Sequence, residues 1–200
     1  MGAEESVSGK MRWGTKVRGP KLTVSRGGLT IIDVAANPKT GDDNLGRYRS
    51  CATNIGLKRG IHRISIQIVS PGRIFAGICT AALTSAGREG TRNAVFQIPG
   101  GWVLCIPSKY NPNDMNMWNA GKSSKSHLPG LRVGGRLDML LNCDEGTLQF
   151  VIDGQSSPTF NVPVGVPLFP VVSFGGDMTK GAAVKLVQVQ VIRMHCYRYS

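Results

Sequence analysis

The carboxylates of Asp138, Asp144, Glu145 and Asp153, with Asn142 among them, crowd the stretch LDMLLNCDEGTLQFVIDG (137–154) of a chain that otherwise carries 24 Lys and Arg against 12 Asp and Glu. Oxygen ligands at alternate positions ahead of a glycine are what a calcium loop needs, and Asn142, Asp144 and Gly146 repeat that spacing. The pattern stops there. A third ligand before the glycine and a bidentate Glu after it are required, whereas Thr147 to Ile152, TLQFVI, reads as a strand. Turn chemistry accounts for more of the residues. Asp144-Glu145-Gly146 suits a tight turn with Gly146 left-handed, and Asp153-Gly154 is a strong signal for a two-residue hairpin. Leu148, Phe150 and Ile152 then share one inward face.

Other chemical patterns fail in similar ways. AGKSS (120–124) imitates the end of a phosphate-binding loop, but Asn116 stands where its first glycine belongs. The histidines, His62, His127 and His195, lie in no spacing that pairs them with a nucleophile or a carboxylate, and Gly-x-Ser-x-Gly, Cys-x-x-Cys and His-Glu-x-x-His are absent. The expectation is a non-enzyme with no catalytic residue, no metal site and no cofactor. One modification motif is present: Met1-Gly2-Ala3-Glu4-Glu5-Ser6 fits the pattern for acylation of Gly2, and the basic residues that follow would supply the second signal of a peripheral membrane adaptor.

The formal charge of +12 is distributed, not confined to one run. Lys10, Arg12, Lys16, Arg18, Lys21 and Arg26 precede the first apolar segment, and residues 44–88 hold Arg47, Arg49, Lys58, Arg59, Arg63, Arg73 and Arg88 with no acid. A field of that sign attracts phosphates, acidic peptides or anionic lipid. Five cysteines, odd in number and widely spaced, suit small buried thiols better than a disulfide frame. With no secretory signal pattern and no apolar run long enough to span a bilayer, the expected location is intracellular, cytoplasmic or nuclear, and not secreted.

These residues must be positioned by short strands. HRISIQIV (62–69) alternates cleanly, with Ile64, Ile66 and Ile68 facing a core and Arg63, Ser65 and Gln67 facing water. LTIIDVA (29–35), RIFAGICTAAL (73–83), NAVFQI (93–98), WVLCIP (102–107), RLDMLLN (136–142), TLQFVI (147–152), LFPVVSF (168–174) and AAVKLVQVQVI (182–192) read alike, with Gly, Pro, Asn and Asp in the gaps. No segment has a helical apolar period. The prediction is an all-β chain with little or no helix, and a two-sheet antiparallel sandwich is favoured over a barrel. Residues 1–26 read as a basic flexible arm from which Trp13 and Leu22 could dock on the body, 27–192 as the body and 193–200 as a tail. In the last strand Val184 and Leu186 share one parity and Val187, Val189 and Val191 the other, which predicts a bulge or a change of sheet near Leu186. The stretch 108–130 is expected to be a long polar loop.

The order of Leu141, Asp144, Gly146, Thr147, Leu148, Phe150, Asp153, Gly154, Phe160 and then Leu168-Phe169-Pro170-Val171-Val172-Ser173 resembles the SPRY (B30.2-like) domain, which has an LD.d.GTL.F..NG double hairpin followed by a LyPavs strand. GIHRISIQIVS and FAGICT resemble two upstream strands of that family, so the likeness spans about 27–192. Arg63, Ile64 and Ser65 replace the family's Tyr-Trp and Glu, and Ser157-Pro158-Thr159 replaces its small-residue turn, which marks a divergent member. The resemblance implies a β-sandwich without catalysis that binds a segment of a partner protein through loops, as an adaptor or a subunit of a complex.

On the long polar loops the residues able to anchor such a partner are Tyr110 and Trp118 as aromatics and Arg88 and Arg92 as charge-assisted donors, with Asp43, Arg47 and Asn93 beside them. Alternatively, Tyr110 and Trp118 fold back over the sandwich, while Trp102 reads as core or rim. A second class of function stays open: a basic subunit of a ribonucleoprotein assembly, gripping RNA phosphates with Lys10, Arg12, Lys16, Arg18, Lys58 and Arg59. No aromatic pairs with those basic residues as a base-stacking platform would require.

Overall fold

The structure, a computed structural model, describes residues 11–18, 22–34, 48–80, 95, 99–107, 115–175 and 181–192. Among these residues all regular structure is β. The strands form two antiparallel sheets. The first runs in the spatial order β1 (Trp13–Arg18), β4 (Tyr48–Thr53), β14 (Leu168–Gly175), β6 (Ile74–Thr80), β7 (Gly101–Ile106), β8 (Asn116–Asn119), β9 (Lys122–Lys125). The second runs β12 (Gln155–Ser156), β11 (Thr147–Ile152), β10 (Arg136–Asn142), β5 (Ile61–Ser70), β15 (Ala183–Ile192), β3 (Thr30–Asp33), β2 (Leu22–Val24), and β13 (Phe160–Asn161) adds to β11. The expected two-sheet sandwich is the observed architecture.

Alternation makes the core. From the second sheet Ile64, Ile66, Ile68, Leu137, Met139, Leu141, Leu148, Phe150 and Ile152 point inward, and Ile74, Ala76, Ile78, Leu104, Ile106, Val172 and Phe174 meet them from the first. The turns that set this register are the ones read from the sequence. Gly146 is left-handed at φ 68°, and Asp153 and Gly154 are both left-handed at 49° and 78°, the type I′ geometry that matches strand twist. Asn142 Oδ1 accepts from the amides of Asp144 and Glu145, both at 3.1 Å, and Asp144 Oδ1 accepts from Gly60 N at 2.9 Å. The predicted bulge is present: the pairing of β15 with β5 shifts between Leu186 and Gln188. Its effect differs from the expected change of parity, because Val189 alone returns inward while Val187 and Val191 stay 45% and 42% exposed.

Four expectations are corrected. The arm does not extend to residue 26: Met11 and Trp13 are buried, β1 pairs with β4, and β2 pairs with β3. Trp13 drives this, because its ring is apolar and its Nε1 finds the Leu29 carbonyl at 2.8 Å while its amide donates to Gly28 O at 2.8 Å. The loop expected over 108–130 contains the β8–β9 hairpin, turned by Ala120 and Gly121, both left-handed. Ser65 does not face water but is fully buried: its hydroxyl donates to Asp138 Oδ1 at 2.6 Å and accepts from Arg136 Nη2 at 2.6 Å. Val95, expected in a strand, lies in a turn, and the neighbouring positions of that segment are outside the described residues, as are 1–10 and 193–200.

Among the described residues one ion pair crosses between the sheets. Arg49 Nη2 on β4 lies 2.8 Å from Asp33 Oδ2 on β3, with the Asp33 side chain wholly buried and that of Arg49 13% exposed. Removing one partner of a buried pair leaves the other charge short of a close counter-charge, so Asp33→Asn or Arg49→Leu is expected to cost about 3–5 kcal/mol, read as a lower denaturant midpoint.

The described cysteines, Cys51, Cys79, Cys105 and Cys143, are free and buried. Burial pushes the Cys51 thiol up to about 12, against a smaller opposing effect of the Arg18 charge, and burial with the Asp144 charge pushes Cys143 up to about 11. The folded state therefore holds these protons after the unfolded chain has lost them. The expected result is full stability from this source below pH 9 and a fall as pH rises from there through about 11 to 12. A denaturation series across that window checks it, and Cys51→Ala flattens the fall.

Candidate interaction surface

The first sheet is apolar on both faces. Each residue of β7 is buried, and in β6 only Thr80 is partly exposed. Ile74, Ala76, Ile78, Leu104 and Ile106 fill the core, so the residues between them make a second apolar layer on the far side of the sheet. That layer consists of Ala52, Phe75, Cys79, Val103, Cys105 and Val171, with Val95 laid against it. Gly101 permits this contact, because a Cβ there would come within 2.0 Å of the Val95 carbonyl oxygen. Ser50 and Ser173 lie on the same face and satisfy each other, Oγ to Oγ, at 3.0 Å. Arg73 places its guanidinium 5.5 Å from the Phe75 ring centroid.

Trp118 stands at the border of this face. Its cross-strand neighbours are Val103 on β7 and Ser123 on β9, and its partly buried ring packs against the apolar layer. Phe169 is the other partly buried ring on the layer. Beyond Trp118 the hairpin ends in β9, where Lys122, Ser123, Ser124 and Lys125 are all exposed. Chemically the border offers aromatic surface, small hydroxyls and cations side by side, a composition suited to an acidic or amphipathic protein segment.

Of the residues expected to bind a partner, Trp118 alone is described, and it is partly buried with its ring packed against the sheet. Tyr110, Arg88, Arg92, Asn93, Asp43 and Arg47 lie outside the described residues. Trp102 belongs to the core. Lys122 and Lys125 were not anticipated. A signal for them exists, since Met115 to Leu137 holds Lys122, Lys125, Arg132 and Arg136 and no acid.

The phosphate candidates are brought together only in part. Arg12 is tied to the start of the β4–β5 connection, its amide donating to Asn54 Oδ1 at 2.8 Å and its carbonyl accepting from Asn54 N at 2.9 Å. Lys58 and Arg59 are exposed on that connection. Asp144 bonds to its last residue, Gly60, so the acidic Asp144-Glu145 turn sits beside these cations and weakens their attraction for phosphate. Arg18 lies away from them at the far end of β1, opposite Cys51. Lys10, Gly2 and the side chain of Lys16 are outside the description. The opposite face of the sandwich is polar and internally bonded: Arg136 Nε reaches Asp138 Oδ1 at 2.8 Å, and Arg63 Nε lies 3.7 Å from Asp138 Oδ2.

No protein-family model and no curated protein matches the chain. Among solved structures it is similar to the PSpry domain of TRIM65, at TM-score 0.66 and 19% identity over 88% of this chain and 91% of that one. It is also similar to the SPRY domain of human HERC1, at TM-score 0.62 and 14% identity over 91% of this chain and 99% of that one. The fold is SPRY-like.

Core and border tryptophans should differ in cost. Trp102→Ala is expected to lose about 3–5 kcal/mol and Trp118→Ala about half of that, since less of its ring is buried. Trp118→Phe should remove most of the fluorescence that acrylamide quenches, because Trp13 and Trp102 are shielded. Denaturation midpoints and quenching constants of the variants measure both effects.

Proposed function

We propose that this chain is a non-catalytic protein-interaction module, an adaptor or complex subunit working inside the cell, that binds a segment of a partner protein along the β8–β9 border of its first sheet. The observation that carries the reading is the position of Trp118, an aromatic ring half sunk into an apolar layer with an exposed, acid-free hairpin beside it. Such a ring gains dry contact area on binding without losing much freedom, because the layer beneath already orients it.

The rest of the chain agrees with this assignment. The SPRY-like fold is the one whose sequence resemblance implies partner binding. Of the carboxylates that first suggested a site, Asp144 bonds to the Gly60 amide and Asp138 is held in a network with Ser65 and Arg136. The described thiols are buried, and Cys51 and Cys143 are held protonated at neutral pH.

Affinity capture from cells with the full chain, with and without nuclease, tests the proposal. The expected outcome is a protein partner retained after nuclease treatment and weakened at least about tenfold by Trp118→Ala, as for an aromatic anchor at an interface. Loss of every partner on nuclease treatment, with affinity falling steeply with salt, would assign the chain to RNA instead.

A further inference from the structure

The β8–β9 hairpin fixes which backbone groups of β9 are used and which are not. Ala120 and Gly121, with φ of 48° and 77°, make a two-residue type I′ turn, so the flanking pair Asn119–Lys122 exchanges both hydrogen bonds. Such pairs then recur at every second position, at Met117–Ser124 and Met115–Ser126, and the bond from Ser126 N to Met115 O at 3.2 Å confirms the phase. Lys122 and Ser124 therefore direct their N–H and C=O toward β8. Ser123 and Lys125 direct theirs outward, where the sheet ends.

The open edge has defined limits. At one end is the turn at Ala120-Gly121, and at the other His127 adopts φ 57° and turns the chain away, after Ser126 has been buried with its hydroxyl on the Met115 carbonyl at 2.6 Å. The second sheet ends instead in strands of two and three residues, β12 and β2. A fully exposed edge strand is a template for another strand, and lysines commonly guard such edges. That guard acts by sign. A second copy of this strand would bring Lys122 and Lys125 of both chains onto one seam, in a molecule already at +12, whereas an acidic strand would meet opposite charges across the same seam.

We infer that β9 accepts an acidic extended segment of a partner protein as an added antiparallel strand, with backbone bonds to Ser123 and Lys125 and carboxylates beside Lys122 and Lys125. The inference rests on the protein-interaction reading and adds to it the binding mode and the chemistry of the segment. Trp118, on the same face as Ser123, lies one strand away and supplies apolar contact to the added segment's longer side chains.

The test uses the full chain, a short labelled Thr-rich peptide with Glu on both faces and two Glu three residues apart to match Lys122 and Lys125, which face opposite sides of the sheet, its Thr and Lys counterpart, and the acidic peptide N-methylated along its backbone. Binding of the acidic peptide is expected to slow amide exchange at Ser123 and Lys125 at least about tenfold, with Lys122 and Ser124, already bonded to β8, unchanged. The lysine peptide and the N-methylated peptide do not bind. The double variant Lys122→Glu with Lys125→Glu keeps its melting temperature, because both side chains are solvent-exposed, and reverses the preference by at least about tenfold. No binding of the acidic peptide, or protection elsewhere without Ser123 and Lys125, overturns strand addition; a partner whose capture still depends on Trp118 would leave the broader proposal standing. Conversely, edge protection with a partner indifferent to Trp118→Ala keeps strand addition and removes Trp118 as anchor.

Discussion

A sheet that is dry on both faces cannot stand at the surface of a molecule, and the first sheet is of that kind. Ile74, Ala76 and Ile78 face one way along β6 while Phe75 and Cys79 face the other, and all are buried. Most antiparallel sheets in sandwiches leave one face to water. Here the second face has to be closed by chain laid across it, and Gly101 shows how closely, since the Val95 carbonyl occupies the space a Cβ would need. The polar groups trapped there pair with each other, as Ser50 does with Ser173. The requirement relaxes only toward β8 and β9, where burial falls from complete, through the partly buried Trp118, to the fully exposed Lys122–Lys125.

That gradient also explains what could be read from the sequence. β10, β11 and β12 were legible because their signals are local: one face is apolar at every second residue, and the turns are written in Asn142, Gly146, Asp153 and Gly154. The bulge of β15 was legible because a slip in register leaves a slip in pattern. β8 and β9 were not, for a physical reason. An edge strand buries little, so NMWN and KSSK carry no two-residue period, and an Ala-Gly turn is a weaker signal than Asn-Gly or Asp-Gly. β1 was missed because WGTKVR reads as a basic arm, although Trp13, the residue that docks it, was visible.

Burial of polar residues hid the rest. Ser65 alternates with isoleucines as a water-facing residue should, and nothing local shows that Arg136 and Asp138, more than seventy residues away, will roof it. Asp33 likewise reads as the polar end of a strand. Only the two-sheet arrangement brings it to Arg49. At the candidate surface the same division holds: Trp118 was identified by its type, and Lys122 and Lys125 became candidates only once the hairpin placed them at the end of a sheet.

The two outer faces of the sandwich thus solve the problem of water in opposite ways. On the second sheet Arg136 satisfies Asp138 and Ser65 at once, and Gln188 and Gln190 continue the polar surface on β15. Those groups are hydrated or bonded as they stand, so a partner would have to strip water from them and replace each bond, with little net gain. On the first sheet the apolar layer is already closed, and the groups left over are a half-buried indole, outward backbone N–H and C=O on β9, and lysines without a neighbouring acid in their own stretch. The proposed binding there would remove apolar surface from water, complete an interrupted hydrogen-bond ladder and bring opposite charges together. Those three gains would fall together on one border of the fold, which is the reason for proposing recognition there.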